Sequence, residues 1–103
     1  MLYLKVINLP FDFYLSEDLR AQIKLLSRKD KETADALNKK IKQITSSDYF
    51  TIDHYKNLRY GMSNYKRVHI MKSFVLLFMV DKDKNFILFD KFGHHDDIYK
   101  KKN

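Results

Sequence analysis

Four histidines, His54, His69, His94 and His95, all fall in the second half of this 103-residue sequence. That half also holds 11 Lys and Arg against 5 Asp, a balance of +6, whereas residues 1–53 carry 9 basic and 8 acidic side chains. An imidazole titrates near neutrality and can both take and give a proton. Lysine and arginine stabilise phosphate charge, and aromatic rings can stack on unpaired bases. These types suit cleavage of RNA by its own 2′-hydroxyl, which attacks the adjacent phosphate. That reaction needs a base, an acid and cations, and it can run without a metal. Arg67, Lys72 and Lys91 are the candidates for charge, the histidines for proton steps, and Tyr99 with Tyr65 for stacking.

Each residue also has a plainer explanation. Lys66 and Arg67 suit a solvated strand face. His69 suits a satisfied sheet histidine, and His54 suits a loop. Tyr99 could pack a short terminal helix on the sheet, and Lys100-Lys101-Lys102 suits a solvated tail. His94-His95-Asp96-Asp97 suggests a metal site only weakly, because adjacent residues rarely point at one ion. No metal and no cofactor are expected. With no cysteine, disulfides, thiolate nucleophiles and zinc fingers are excluded. The longest apolar run, Phe74 to Val80, is too short to span a bilayer. No basic segment leads into a long apolar run at the N-terminus. The expectation is a cytoplasmic protein without a membrane partner.

The elements that must position these residues follow from periodicity. Leu2, Leu4 and Val6 alternate with Tyr3, Lys5 and Ile7, which predicts a first strand ending near Pro10. Phe11 to Leu15 is aromatic and ambiguous. Ser16 is a good N-cap, followed by Glu17 and Asp18 in a first turn and by Leu19, Ile23 and Leu26 at helical spacing. Asp30 caps a second helix with Ala34, Leu37, Ile41 and Ile44 on one face. So short a joint predicts an antiparallel helical hairpin. Thr45 to Leu58 reads as a loop with one helical turn.

The period then changes to two. Val68 and Ile70 share one face of a strand, and Arg67, His69 and Met71 share the other. Lys72-Ser73 makes a tight connection, and Phe74 to Val80 reads as a central strand. Asp81 to Asn85 reads as a hairpin turn, and Phe86 to Lys91 as a last strand that Gly93 ends. The result is an α+β fold in one domain, residues 1–103: an N-terminal strand, two antiparallel helices and a three-stranded antiparallel meander. The helices cover one face of the sheet, and function is expected on the other.

Leu25-Leu26-Ser27-Arg28-Lys29-Asp30-Lys31 leading into Lys39-Lys40-Ile41 resembles the helical hairpin of the RelE/ParE toxin superfamily. So does Tyr65-Lys66-Arg67-Val68-His69-Ile70 with the apolar strand that follows. The ending Phe92-Gly93-His94-His95-Asp96-Asp97-Ile98-Tyr99-Lys100 looks like the RelE and YafQ branches of messenger-RNA-cleaving toxins.

The resemblance implies the toxin of a type II toxin–antitoxin system, a ribosome-dependent endoribonuclease that cleaves messenger RNA. Its implied partners are the ribosome, messenger RNA and an antitoxin, acidic or DNA-binding, encoded beside it. His95, four before Tyr99, matches a catalytic histidine and a terminal aromatic. His69 matches a histidine of the second sheet strand, His54 one in the preceding loop, and Lys91 a phosphate-binding arginine. The implied catalytic set is His95, His69, Lys91 and Tyr99, with Arg67, Lys72, Lys66 and His54 as RNA contacts. Met71-Lys72 stands where RelE-like toxins have an arginine, and Ser73 where YafQ-like toxins have an aspartate. The alternative is a non-catalytic module, ParE-like or a relic, that binds an antitoxin or a topoisomerase.

Overall fold

Residues 11–58 and 64–98 are described in this computed structural model. The chain runs through strand β1 (Asp12–Leu15), helix α1 (Glu17–Lys29), helix α2 (Lys31–Thr45) and a 3-10 turn (Thr51–His54). Strands β2 (Lys66–Ile70), β3 (Phe74–Asp81) and β4 (Phe86–His94) follow, and a single helical turn, α3 (His95–Ile98), closes the described chain. Both helices start at the predicted caps. Ser16 Oγ accepts the Leu19 N–H at 3.1 Å, and Asp30 Oδ1 accepts the Thr33 N–H at 3.2 Å. Each cap satisfies an N–H that has no partner within its own helix. No described helix is long and apolar enough to cross a membrane.

The sheet order is β1-β4-β3-β2. β2, β3 and β4 form the antiparallel meander, and β1 pairs in parallel with β4, Asp12 opposite Phe86 through Leu15 opposite Phe89. Both helices lie on one face. Leu19, Leu37, Ile41 and Ile44 from the helices meet Ile70, Leu76, Phe78, Ile87, Phe89 and Phe92 from the sheet in the main core. Phe78 and Phe89 are fully buried there, with ring centroids 5.6 Å apart. A second cluster of Leu58, Val75 and Leu77 lies beneath Tyr65 and Ile98 on the opposite face. β3 is therefore apolar on both sides because it is covered on both sides.

Three details differ from the sequence expectation. The segment Leu2–Ile7 lies outside the described residues, and the strand beside β4 is the ambiguous aromatic stretch, Asp12–Leu15. Gly93 does not end the last strand but pairs with Val75 inside it, and β4 runs on to His94. Met71 does not share a face with Arg67 and His69. It sits in the β2–β3 turn with a positive φ of 59°, and its sulfur lies 3.5 Å from Thr33 Oγ1, against α2. A turn residue leaves the strand's alternation, so period two no longer fixes its side.

Candidate functional site

Residues directly opposite in antiparallel strands share a face. Arg67 is opposite Leu77, and Leu77 is opposite Lys91. His69 is opposite Val75, and Val75 is opposite Gly93. Leu77 and Val75 belong to the apolar cluster on the side away from the helices. The register thus aligns two neighbouring rows on that face, Arg67–Leu77–Lys91 and His69–Val75–Gly93. The cations of the first row stand two strand spacings apart, about 10 Å between backbones. Long side chains reaching inward over Leu77 can converge on one anion. Lys91 is half exposed, and His69 is exposed.

A bulge shapes this row. Leu77 pairs with Lys91 but Phe78 pairs with Phe89, which leaves Asp90 without an opposite residue. Two β4 residues against one of β3 re-aim the strand there. The Asp90 carboxylate accepts a hydrogen bond of 2.5 Å from the Tyr65 hydroxyl and lies 3.9 Å from the Lys91 ammonium. The Tyr65 hydroxyl is pushed up to about 12 by that bond, by desolvation and by the charge of Asp90.

α3 brings the last histidines to the same end of the sheet. The His95 N–H donates to the Ser73 carbonyl at 2.8 Å, which ties the start of α3 to the β2–β3 turn and so to the exposed Lys72. His95 Nδ1 lies 3.2 Å from Asp96 Oδ1, and His94 Nδ1 accepts the Asp96 N–H at 3.2 Å. The two rings stack at 4.9 Å. The Asp96 carboxylate thus stands beside the Nδ1 edge of the His95 ring. The donor atoms of His94, His95 and Asp96 lie within 4.8 Å of one another, closer than expected for consecutive residues. The Asp96 N–H bond to His94 holds the three together as one polar group at the start of α3. Downstream, Ile98 packs on the apolar cluster and passes Gly93, where an added Cβ would meet it at 3.5 Å.

The face thus brings together Arg67, His69 and Lys91, with Lys72 and His95 tied to its end. Two RNA-contact candidates lie elsewhere. Lys66 is opposite Phe78 and so faces the helix layer, where its ammonium donates to the Tyr55 carbonyl and to Asn57 Oδ1, each at 3.1 Å. It holds the preceding loop to the sheet. His54 lies in the 3-10 turn beside Asp53, whose carboxylate binds Lys82 at 2.5 Å near the opposite end of the sheet. Tyr99 lies outside the described residues. Sequence reasoning did not find the Tyr65–Asp90 bond. Its only trace is an acid that ends the apolar run Phe86–Phe89 of β4.

No family model matches the chain. Over 92 residues it is 42% identical to "Putative toxin RelE4" of Methanocaldococcus jannaschii, covering 89% of this chain and 94% of that protein. It is 32% identical over 85 residues to an uncharacterized protein of Methanosarcina mazei, covering 82% and 94%. Among solved structures, the fold is similar to a chain of the RelBE2 toxin–antitoxin complex of Mycobacterium tuberculosis, with a TM-score of 0.66 and 14% identity over 84% of this chain and 92% of that one. A YafQ variant of Escherichia coli is similar at a TM-score of 0.59 and 15% identity, covering 86% and 98%.

Proposed function

Since the chain belongs to the RelE-like toxin superfamily, we propose that it is the toxin of a toxin–antitoxin pair and an endoribonuclease that cleaves messenger RNA on the ribosome. The observation that carries the reading is the pair of rows on the face away from the helices, with Arg67 and Lys91 flanking Leu77 and His69 in the next row.

In the proposed reaction a 2′-hydroxyl attacks the adjacent phosphorus. Its proton passes to a base as the new O–P bond forms. The P–O5′ bond then breaks, and an acid protonates the leaving oxygen, which yields a cyclic phosphate and a 5′-hydroxyl. His95, with the Asp96 carboxylate beside its Nδ1, serves one proton step, and His69 the other. Arg67 and Lys91 neutralise the phosphate, supported by Lys72. Lysine holds phosphate as a point charge, so orientation rests on Arg67, the planar donor of the set. Tyr99 is assigned to base stacking from its spacing to His95 alone. Work at the ribosome implies a cytoplasmic protein, and the similarity to a RelBE complex supports an antitoxin as its partner.

The test is single-turnover cleavage of message on programmed ribosomes. His95→Ala and His69→Ala are each expected to slow it by about 10²–10⁴-fold, the usual contribution of an acid or base. Circular dichroism checks that the variants fold. Full activity in both folded variants rejects these proton-transfer roles. A wild type that binds ribosomes without cutting rejects the enzyme and leaves a binding module.

A further inference from the structure

Consecutive residues rarely point at one ion, but His94 and His95 stand on either side of a change of element. His94 is the last residue of β4 and His95 the first of α3. Strand alternation, which sends neighbouring side chains to opposite faces, therefore stops between them. Their rings stack with centroids 4.9 Å apart and planes 26° from parallel. The corner is held from three directions. The His95 N–H is bonded to the Ser73 carbonyl, Ile98 packs on Val75 and Leu77, and the Phe74 ring meets His94 edge-on at 6.1 Å.

The Asp96 carboxylate lies near both ring Nδ1 atoms. Its Oδ1 is 3.2 Å from His95 Nδ1, and its Oδ2 is 3.7 Å from His94 Nδ1. Around a four-coordinate ion with bonds of about 2.0–2.1 Å, neighbouring ligand atoms stand about 3.3 Å apart. The two separations bracket that edge. Donor atoms of all three residues lie within 4.8 Å of one another, so closing the set around one ion takes a movement of about 1.5 Å at most. The side chains are 42%, 43% and 74% exposed in chain order, which leaves room for that movement. The His94 Nδ1 lone pair accepts the Asp96 N–H at 3.2 Å, a bond at the long end of the usual range. A metal can replace it and leave that N–H to water.

We propose that His94, His95 and Asp96 form a binding site for a divalent late transition metal of the zinc class. Two imidazole nitrogens and one carboxylate oxygen supply three ligands, and water completes the fourth position on the exposed side. A pair of imidazoles selects zinc, copper or nickel over magnesium and calcium, whose ligands are oxygens. Asp97, exposed in the same turn, adds negative charge. The site stands independently of the toxin reading, whereas its consequence rests on that reading. An ion on His95 puts positive charge on a ring assigned a proton step and takes the Asp96 carboxylate away from it. The ion is then a reversible brake on cleavage and not a participant in it.

The probe is zinc chloride, titrated calorimetrically into the full chain after treatment with a chelator. Nitrogen NMR of the imidazoles identifies the ligands, and circular dichroism checks that each variant folds. A single ion per chain is expected, with the Nδ1 signals of His94 and His95 moving together. His94→Gln and Asp96→Asn should each weaken binding about tenfold or more, since loss even of an outer-sphere partner costs about 10–100-fold. His54→Gln should bind as the wild type does. No saturable binding by the folded wild type overturns the site. Equal affinity in the wild type, His94→Gln and Asp96→Asn also overturns it, as an adventitious ion only. On programmed ribosomes, zinc should slow the wild type more than His94→Gln, each measured against its own zinc-free rate. Equal slowing overturns the brake. A chain that never cleaves, with zinc or without, overturns the brake and the enzyme reading together, while the titration still decides the site.

Discussion

Tyr65 reaches over β3 to donate its hydroxyl hydrogen to Asp90 in β4, at 2.5 Å. The bond joins the entry of β2 to the bulge of β4, the two strands that supply Arg67 and Lys91. It braces the row of cations from both sides.

Tyr65 is therefore expected to be the tyrosine that ionises late, near pH 12. Its hydroxyl is held above the ordinary value of 10.0, so the interaction favours the fold below about pH 10 and is lost as pH rises through about 12. Phenolate absorbance should show the late transition in the wild type and not in Tyr65→Phe. That variant should lose about 1 kcal/mol in denaturant unfolding. A Tyr65→Phe titration curve that still contains the late transition excludes this assignment.

Asp53 titrates low because the Lys82 ammonium donates a hydrogen bond to it, with the charges of Lys82 and Lys66 adding to the effect. A depressed carboxyl favours the fold above the unfolded value of about 4, and the contribution disappears as pH falls below it. Carboxyl-carbon NMR should place Asp53 below 3.8 in the wild type. In Lys82→Met it should move back towards that value. An unmoved Asp53 midpoint contradicts the pairing.

Lys91 can be separated from the proton carriers by salt. If it holds one phosphate, Lys91→Met should lower the slope of log affinity for RNA against log salt by about one. Cleavage should fall with it, by roughly 10²-fold, and Lys91→Arg should restore most of the loss. An unchanged slope would remove Lys91 from the phosphate.

Ile98 is small leverage on a large effect. Ile98→Ala removes apolar contact over Val75 and Leu77 and should cost about 1 kcal/mol. Phe89→Ala, in the fully buried core, should cost about 3–5 kcal/mol. Only Ile98→Ala should slow cleavage in protein that remains folded, since it loosens the turn that starts at His95. Equal cleavage rates for Ile98→Ala and wild type would sever that link.

Much of this arrangement is local and therefore legible in the residues. Ser16 and Asp30 announce their helices because a cap acts within one turn. The side of Arg67 and His69 follows from strand alternation, which also puts Lys66 on the side of Val68 and the core. What escapes reading depends on register between distant segments. Four residues, Asp12–Leu15, are too few to declare a strand, and they become one only through β4. The bulge at Asp90 exists in the pairing and not in either strand. His95 and Asp96 look too close together to cooperate until α3 turns them towards each other.

The parallel pairing of β1 with β4 bears on when this protein first exists as a folded molecule. Ser16 and Asp90, joined through the Ser16 hydroxyl, stand 74 residues apart. Helices and hairpins can form as the chain emerges during synthesis, but β1 must wait for β4 to be made. Pairings of such long separation are the slow ones, and the strand that supplies Lys91 is also the one that closes the sheet. The nascent chain therefore cannot close its sheet until Phe86–His94 has been made. That one strand then delivers both Lys91 and the parallel partner of β1.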